Sequence, residues 1–186
     1  MTRVAAVALL VVVAVAVFGG TAAARADPRH PHFATQASAA GLTGAEARAL
    51  QHRVDRYLAR LGGTQVGINR IDLAGGATLR LVVPGRGPAA PEVSPSGVIG
   101  PAPCRPHHFC VYAHEDYAGD RLDLYQCGVL HYLLFAGYGS YRNNQAPGTV
   151  PRYYSHDRLL SYSGIPGRVA ARKQSWTFIE WVRPCG

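Results

Sequence analysis

The sequence predicts a small, mainly β protein stapled by disulfides, with a short helix-plus-hairpin unit in front of it. Three observations predict this. Short stretches rich in Tyr, Val and Leu alternate with Gly, Asn and Pro turn signals through the second half of the chain, the pattern of a β-sandwich. The four cysteines, Cys104, Cys110, Cys127 and Cys185, all lie in that half, and an even count behind an export signal reads as a disulfide framework. Between them, Tyr112-x4-Tyr117-x-Gly119 spaces two aromatic rings so that they stack across a folded corner, with glycine where the corner needs an unusual backbone angle.

Residues 1–26 read as a signal peptide. Arg3 supplies the basic start, Val4 to Phe18 the apolar run, and Ala24-Arg25-Ala26 the small residues of a cleavage site, which points to a secreted, extracellular protein. The run is shorter than the roughly 20 residues that span a bilayer, and no later segment is apolar enough to do so. Cleavage would remove Arg3 and Arg25 from the 19 basic residues, leaving 17 against 11 acidic ones and a net charge of +6 in place of +8. The charge is dispersed, with no block of consecutive Lys or Arg. That excludes a nucleic-acid footprint, which clusters on one face, and leaves attraction to cell walls or other anionic surfaces.

Residues 27–40 read as a disordered leader. Residues 41–83 form a compact unit. Thr43 and Glu46 make a capping box, Ala47, Leu50, Val54, Leu58 and Leu61 recur at helical spacing, and Gly62-Gly63 ends the helix. Gln65 to Leu73 and Thr78 to Val83 then flank Ala74-Gly75-Gly76-Ala77 as a hairpin. So small a core is marginal alone, which points to docking on the C-terminal domain. Residues 84–103 carry Pro84, Pro88, Pro91, Pro95, Pro101 and Pro103 and read as an extended linker with no helix or central strand.

Residues 104–186 are the main domain. Its expected strands are Phe109–Ala113, Arg121–Tyr125, Arg152–Ser155, Leu159–Tyr162 and Trp176–Val182, separated by turns at Ala118–Asp120, Gly137–Gly139, Asn143-Asn144 and Gly164–Gly167. Four cysteines allow three pairings. The short local loop favours Cys104–Cys110, leaving Cys127–Cys185 to tie the C-terminus to the middle of the domain. A zinc site is disfavoured because no C-x2-C pair occurs and export favours oxidised cysteine.

Little in the chain supports catalysis. His107, His108, His114, His30 and His32 form no HExxH-like pair and read as exposed loop histidines. Ser155, His156 and Asp157 are adjacent, so they lack the separate orientations of a triad, and there is no G-x-S-x-G elbow. No enzyme, metal or cofactor is expected. Tyr138, Tyr141, Tyr153, Tyr154 and Tyr162 read as core and sheet packing, with a carbohydrate- or protein-binding face as the alternative.

The C-x5-C loop, the corner at Tyr112, Tyr117 and Gly119, the later Cys127 and the run Ser140-Tyr-Arg-Asn-Asn-Gln145 together resemble the secreted actinobacterial metalloproteinase inhibitors, peptidase-inhibitor family thirty-six. The resemblance covers Cys104 to about Cys185. It implies a βγ-crystallin-like Greek-key sandwich that blocks an extracellular protease with a rigid loop. In the family's inhibitory member a second, short disulfide closes that loop. Here Cys127 and Cys185 are far apart, so the candidates come from position alone: Asn143, Asn144, Gln145 and Pro147 in one loop, Ile165 and Pro166 in another. Calcium-binding crystallins offer paired Asx residues. The matching stretch here, Gly137 to Tyr141, has none, and a hard cation needs several converging oxygens. The alternatives to inhibition are a cell-envelope or polysaccharide-binding module and an antimicrobial or toxin.

Overall fold

The computed structural model describes residues 31–156, 158–162 and 170–185. Residues 1–26, expected to be a signal peptide, His30, Asp157, Ile165 and Pro166 lie outside them. Two α-helices, α1 (Pro31–Ala39) and α2 (Gly44–Leu61), precede the strands. These are β1 (Thr64–Gly67), β2 (Arg70–Leu73), β3 (Ala77–Arg80), β4 (Glu92–Val93), β5 (Ile99–Gly100), β6 (Phe109–Tyr112), β7 (Arg121–Leu124), β8 (His131–Tyr132), β9 (Tyr138–Asn143), β10 (Arg152–Ser155), β11 (Arg158–Tyr162), β12 (Ala170–Ser175) and β13 (Trp181–Arg183). Among the described residues the protein is therefore mainly β, in antiparallel pairings, with two disulfides. No described helix is long and apolar enough to cross a membrane.

The expected α2 forms as the sequence predicts, and the glycine turn joins β2 to β3 as expected, but Gln65–Leu73 is not one strand: it folds back on itself as β1 and β2, so the unit is a three-stranded meander. Thr43 Oγ1 accepts from the Glu46 amide while Glu46 Oε2 accepts from the Thr43 amide, so two free helix-end groups are satisfied at once. Leu50 and Val54 face inward from α2. The leader expectation fails for residues 31–39, which form α1. Pro31 suits the first helical position, and tertiary contacts hold the rest. The Gln36 side-chain carbonyl accepts from the Ile68 amide at 2.8 Å, its amide donates to the Ser94 carbonyl, and Ala37 and Ala40 are buried.

The strands build a seven-stranded sheet in the order β1-β2-β3-β7-β6-β9-β12 and a four-stranded sheet in the order β11-β10-β13-β8. β3 pairs with β7 residue for residue, Ala77 with Leu124 through Arg80 with Arg121. The helix-hairpin unit is thus the continuation of the sandwich's own sheet, and it leaves β7 no open edge. Period-two alternation sends Leu79, Phe109, Val111, Leu122, Leu124 and Tyr141 to one face of this sheet. There they join Leu50 and Val54 of α2, and Tyr153 and Val182 of the smaller sheet, in one continuous core.

The two sheets exchange strands by one rule. β9 returns beside β6, the partner of β7, while β8 lies in the other sheet; β13 returns beside β10, the partner of β11, while β12 lies in the other sheet. Each run of four strands lends its third member across the sandwich.

Two further sequence expectations are corrected in the second half of the chain. Trp176–Val182 is not one strand: a turn with the Ile179 amide on the Trp176 carbonyl separates β12 from β13. Gly137–Gly139 is not simply a turn, because Gly139 lies within β9. A Cβ there would stand 2.3 Å from the Tyr112 carbonyl oxygen, and the Trp176 indole passes over this gap to donate to that carbonyl at 3.0 Å. Glycine is needed for close approach.

Candidate functional site

The Pro-rich stretch is a strap rather than a spacer. β4 and β5 pair with each other. The Pro88 carbonyl accepts from the Gly119 amide at 2.7 Å, and the Pro91 carbonyl from the Asn69 side chain at 3.0 Å. Prolines leave carbonyls free to accept while lacking the N–H that a ladder demands, so such a segment lies well across a sheet face without extending the sheet. Under the strap is a charged layer that sequence reasoning missed. Asp123 receives Arg80 Nε at 3.2 Å and Arg121 Nη2 at 2.8 Å, and Arg121 also donates to the Ala102 carbonyl. Arg80 reaches Glu92 at 3.1 Å. Arg80, Arg121 and Asp123 are all buried. The sequence did carry the signal: Arg80, Arg121 and Asp123 alternate with Leu79, Leu122 and Leu124, so both sheet faces are covered, one by the core and one by the strap.

The corner forms on this same face. Tyr112 and Tyr117 meet edge to face with centroids 5.5 Å apart. Gly119 has φ +82°, and a Cβ there would stand 2.7 Å from the His114 ring, so only glycine closes the turn without strain. Asp116 and Tyr117 themselves adopt left-handed backbone. Ser140 Oγ holds the fold-over from β9: it accepts from the Tyr117 amide at 2.9 Å and donates to the His114 carbonyl at 2.7 Å. Arg142 lies over the Tyr117 ring at 4.6 Å, and burial raises the Tyr112 phenol above its ordinary value. A cleft of about 550 Å³ between strap and corner is lined by Pro88, Pro101, Tyr112, Tyr117, Arg121 and Arg142.

The cysteines pair Cys104–Cys110 and Cys127–Cys185. Both disulfides touch the loop that joins β9 to β10. The Asn144 side chain donates to the Cys104 carbonyl at 2.9 Å, and the His107 amide to the Asn144 carbonyl at 2.8 Å. The Gln145 side chain sits 3.2 Å from Cys185 Sγ. Asn143 donates to the Thr149 carbonyl at 3.0 Å and accepts from the Gln145 amide at 3.2 Å, closing the loop on itself as an Asx turn.

This corrects part of the site expectation. Asn143 and Gln145 are buried and Asn144 half-buried; their amides brace the loop, and the exposed tip is Ala146-Pro147-Gly148. An Asn-Asn pair at the end of a strand signals such bracing, because a short side-chain amide replaces a missing backbone partner.

The histidines are dispersed. His108 packs against Tyr125, His156 takes Glu180 as partner at 3.0 Å, and His131 is buried beneath the smaller sheet. Among the described residues no group of three or more His, Cys, Asp and Glu is placed to hold a metal ion. Compared with protein-family models, curated proteins and solved structures, the chain matches none.

Proposed function

We propose that this is a secreted, non-enzymatic βγ-crystallin-like Greek-key protein that binds an extracellular metalloproteinase, presenting the Ala146-Pro147-Gly148 tip to its cleft. One observation carries the reading. The loop is fixed at its base by Asn143, Asn144 and Gln145 to both disulfides while its tip stays exposed. A loop held in one conformation before binding loses little entropy on association, and a braced backbone resists the deformation that cleavage requires. The braces stand where a second short disulfide would otherwise do this work. Further support comes from the paired exchange of third strands between the sheets, from the Tyr112–Tyr117–Gly119 corner tied by Ser140, and, for secretion, from the disulfides.

The test is inhibition of thermolysin by the purified, oxidised protein, with trypsin and subtilisin as controls. Stoichiometric, selective inhibition is expected, with Pro147→Gly weakening it about tenfold by loosening the tip. Asn143→Ala should convert the protein into one that thermolysin cuts between Gln145 and Thr149. An intact protein that leaves thermolysin activity unchanged at molar excess refutes the reading.

A further inference from the structure

The cleft between strap and corner has no part in the protease reading. Its walls are largely apolar, made by Pro88, Pro91, Pro101 and Pro103 of the strap and by Tyr112 and Tyr117 of the corner. Its volume of about 550 Å³ lies in the range of small-molecule sites. Tyr112 forms with Cys104 and Cys110 a small apolar cluster, separate from the main core, against which Tyr117 packs. The walls are fixed before any ligand arrives. Asn69 and Gly119 hold the carbonyls of Pro91 and Pro88, Arg121 holds that of Ala102, and the Cys104–Cys110 disulfide follows directly on Pro103. A pocket already formed loses little entropy when it is filled.

The arginines that line the cleft differ in what they hold. Arg121 is buried and committed to Asp123 at 2.8 Å. Arg86 donates to the Ala40 and Gly41 carbonyls. Arg142 is exposed, and its guanidinium lies on the Tyr117 ring at 4.6 Å. Tyr141 joins the core, so alternation along β9 turns Arg142 to the strap side. Stacking uses the flat face of a guanidinium and leaves its N–H edge free to donate. The acids of the corner are engaged with β12 instead: Asp116 with Arg172 at 2.5 Å and Glu115 with Lys173 at 3.1 Å. Glu92 of the strap is held by Arg80 and Arg105. Among the described residues no carboxylate side chain lines the cleft, and the ion pairs around it leave Arg142 out.

We propose that this cleft binds a small aromatic carboxylate. The carboxylate takes paired N–H donors from Arg142. The ring lies among the strap prolines and Tyr112, where the C–H groups of proline and the edge of tyrosine meet its π face. Neither feature alone selects this ligand. A neutral aromatic brings no charge to the guanidinium, and a saturated acid of the same shape brings no π face to the prolines.

The purified, oxidised protein is titrated by calorimetry with 2-naphthoate, with the neutral 2-naphthamide and with the saturated decahydro-2-naphthoate. Saturable, one-to-one binding of 2-naphthoate is expected, with each of the others weaker by about tenfold or more. Arg142→Gln should weaken 2-naphthoate about tenfold and Arg142→Lys less, because lysine keeps the charge and loses the fork. Arg48→Gln, exposed on α2, should leave binding unchanged. Near-UV circular dichroism checks each variant. On the unaltered protein, 2-naphthoate should protect Arg142 from phenylglyoxal, as mass spectrometry of the peptides would map, so the proposal does not depend on a variant's folding. Absence of saturable binding, equal binding of the amide or of the saturated acid, no effect of Arg142→Gln, or an unprotected Arg142 each overturns it. So does tighter binding of the peptide Ala-Ala-Ala-Phe, which would assign the cleft to a chain terminus. The thermolysin assay reads the loop and this titration reads the cleft, so the two readings fail separately.

Discussion

The helix-hairpin region before the strap and the sandwich after it solve the same problem by different means. The sandwich closes its chain covalently, with Cys104–Cys110 and Cys127–Cys185. The helix-hairpin region has no cysteine and leans on its neighbour. Its strand β3 pairs with β7, and its apolar residues join the sandwich core. Its helix is anchored through Asp120, which accepts from Arg53, from the Tyr57 hydroxyl at 2.9 Å and from the Val82 amide at 2.8 Å. Burial, and then the Asp120 carboxylate, raise the Tyr57 phenol far above its ordinary value, so it donates at any physiological pH. A small core becomes sufficient when it is shared, because the area buried at the shared sheet and core counts for both parts.

The comparison breaks most readily at the long disulfide. Replacing Cys127 and Cys185 by alanine should cost about 4 kcal/mol, and replacing Cys104 and Cys110 about 2 kcal/mol, since the entropy released grows with loop length. Denaturant titration followed at 222 nm and in the near-UV checks both. If the two regions share one core, the curves coincide in the parent and in each variant; separate transitions would make them independent domains.

Asp120→Ala comes next. It leaves the Val82 amide and the Tyr57 hydroxyl without their acceptor and strands Arg53, which is partly exposed. About 2 kcal/mol is expected after allowing for solvent screening of Arg53, with Asp120→Asn recovering part of it. A loss below about 0.5 kcal/mol, within the usual range of surface substitutions, would show that the shared sheet alone joins the regions.

Ser140→Ala removes two hydrogen bonds from the corner and should cost about 1–2 kcal/mol without altering the helix-hairpin region, as amide exchange at Tyr117 compared with Ile71 would reveal.

The smallest effect is a pH dependence. Burial lowers the His131 pKa below its ordinary value of 6.5, so the folded state holds this ring neutral where the unfolded chain takes up a proton. Its contribution is intact above about 6.5 and is lost as pH falls from there through the lower folded value. His131→Phe should flatten the stability profile in that window; an unchanged profile would mean other groups set it.

Local chemistry was legible in the sequence. The Thr43–Glu46 cap, the α2 stripe, the glycine turn of the hairpin, the Cys104–Cys110 loop and the Tyr112–Tyr117–Gly119 corner each involve residues close in the chain, where spacing dictates geometry. Three features were not legible. The strap looked like a linker because proline content reports the conformation of a segment and not what lies beneath it. α1 looked irregular because its reasons to be helical, Ile68, Ser94 and the core around Ala37, lie elsewhere in the chain. Asn143, Asn144 and Gln145 looked like an exposed recognition loop because polar residues between strands are read as surface, whereas here their amides supply hydrogen bonds that the backbone lacks.

The sequence by itself determined the β class, the capped helix, the cysteine framework and the corner, since each rests on short-range sterics or on hydrogen bonds within a few residues. Only the tertiary structure decided that β3 would continue the sandwich's sheet, that Arg80, Arg121 and Asp123 would lie under the strap, and that Arg142 would meet Tyr117 beside it. These are matters of register between distant strands, and register is set by a whole buried face, whose members no local window contains.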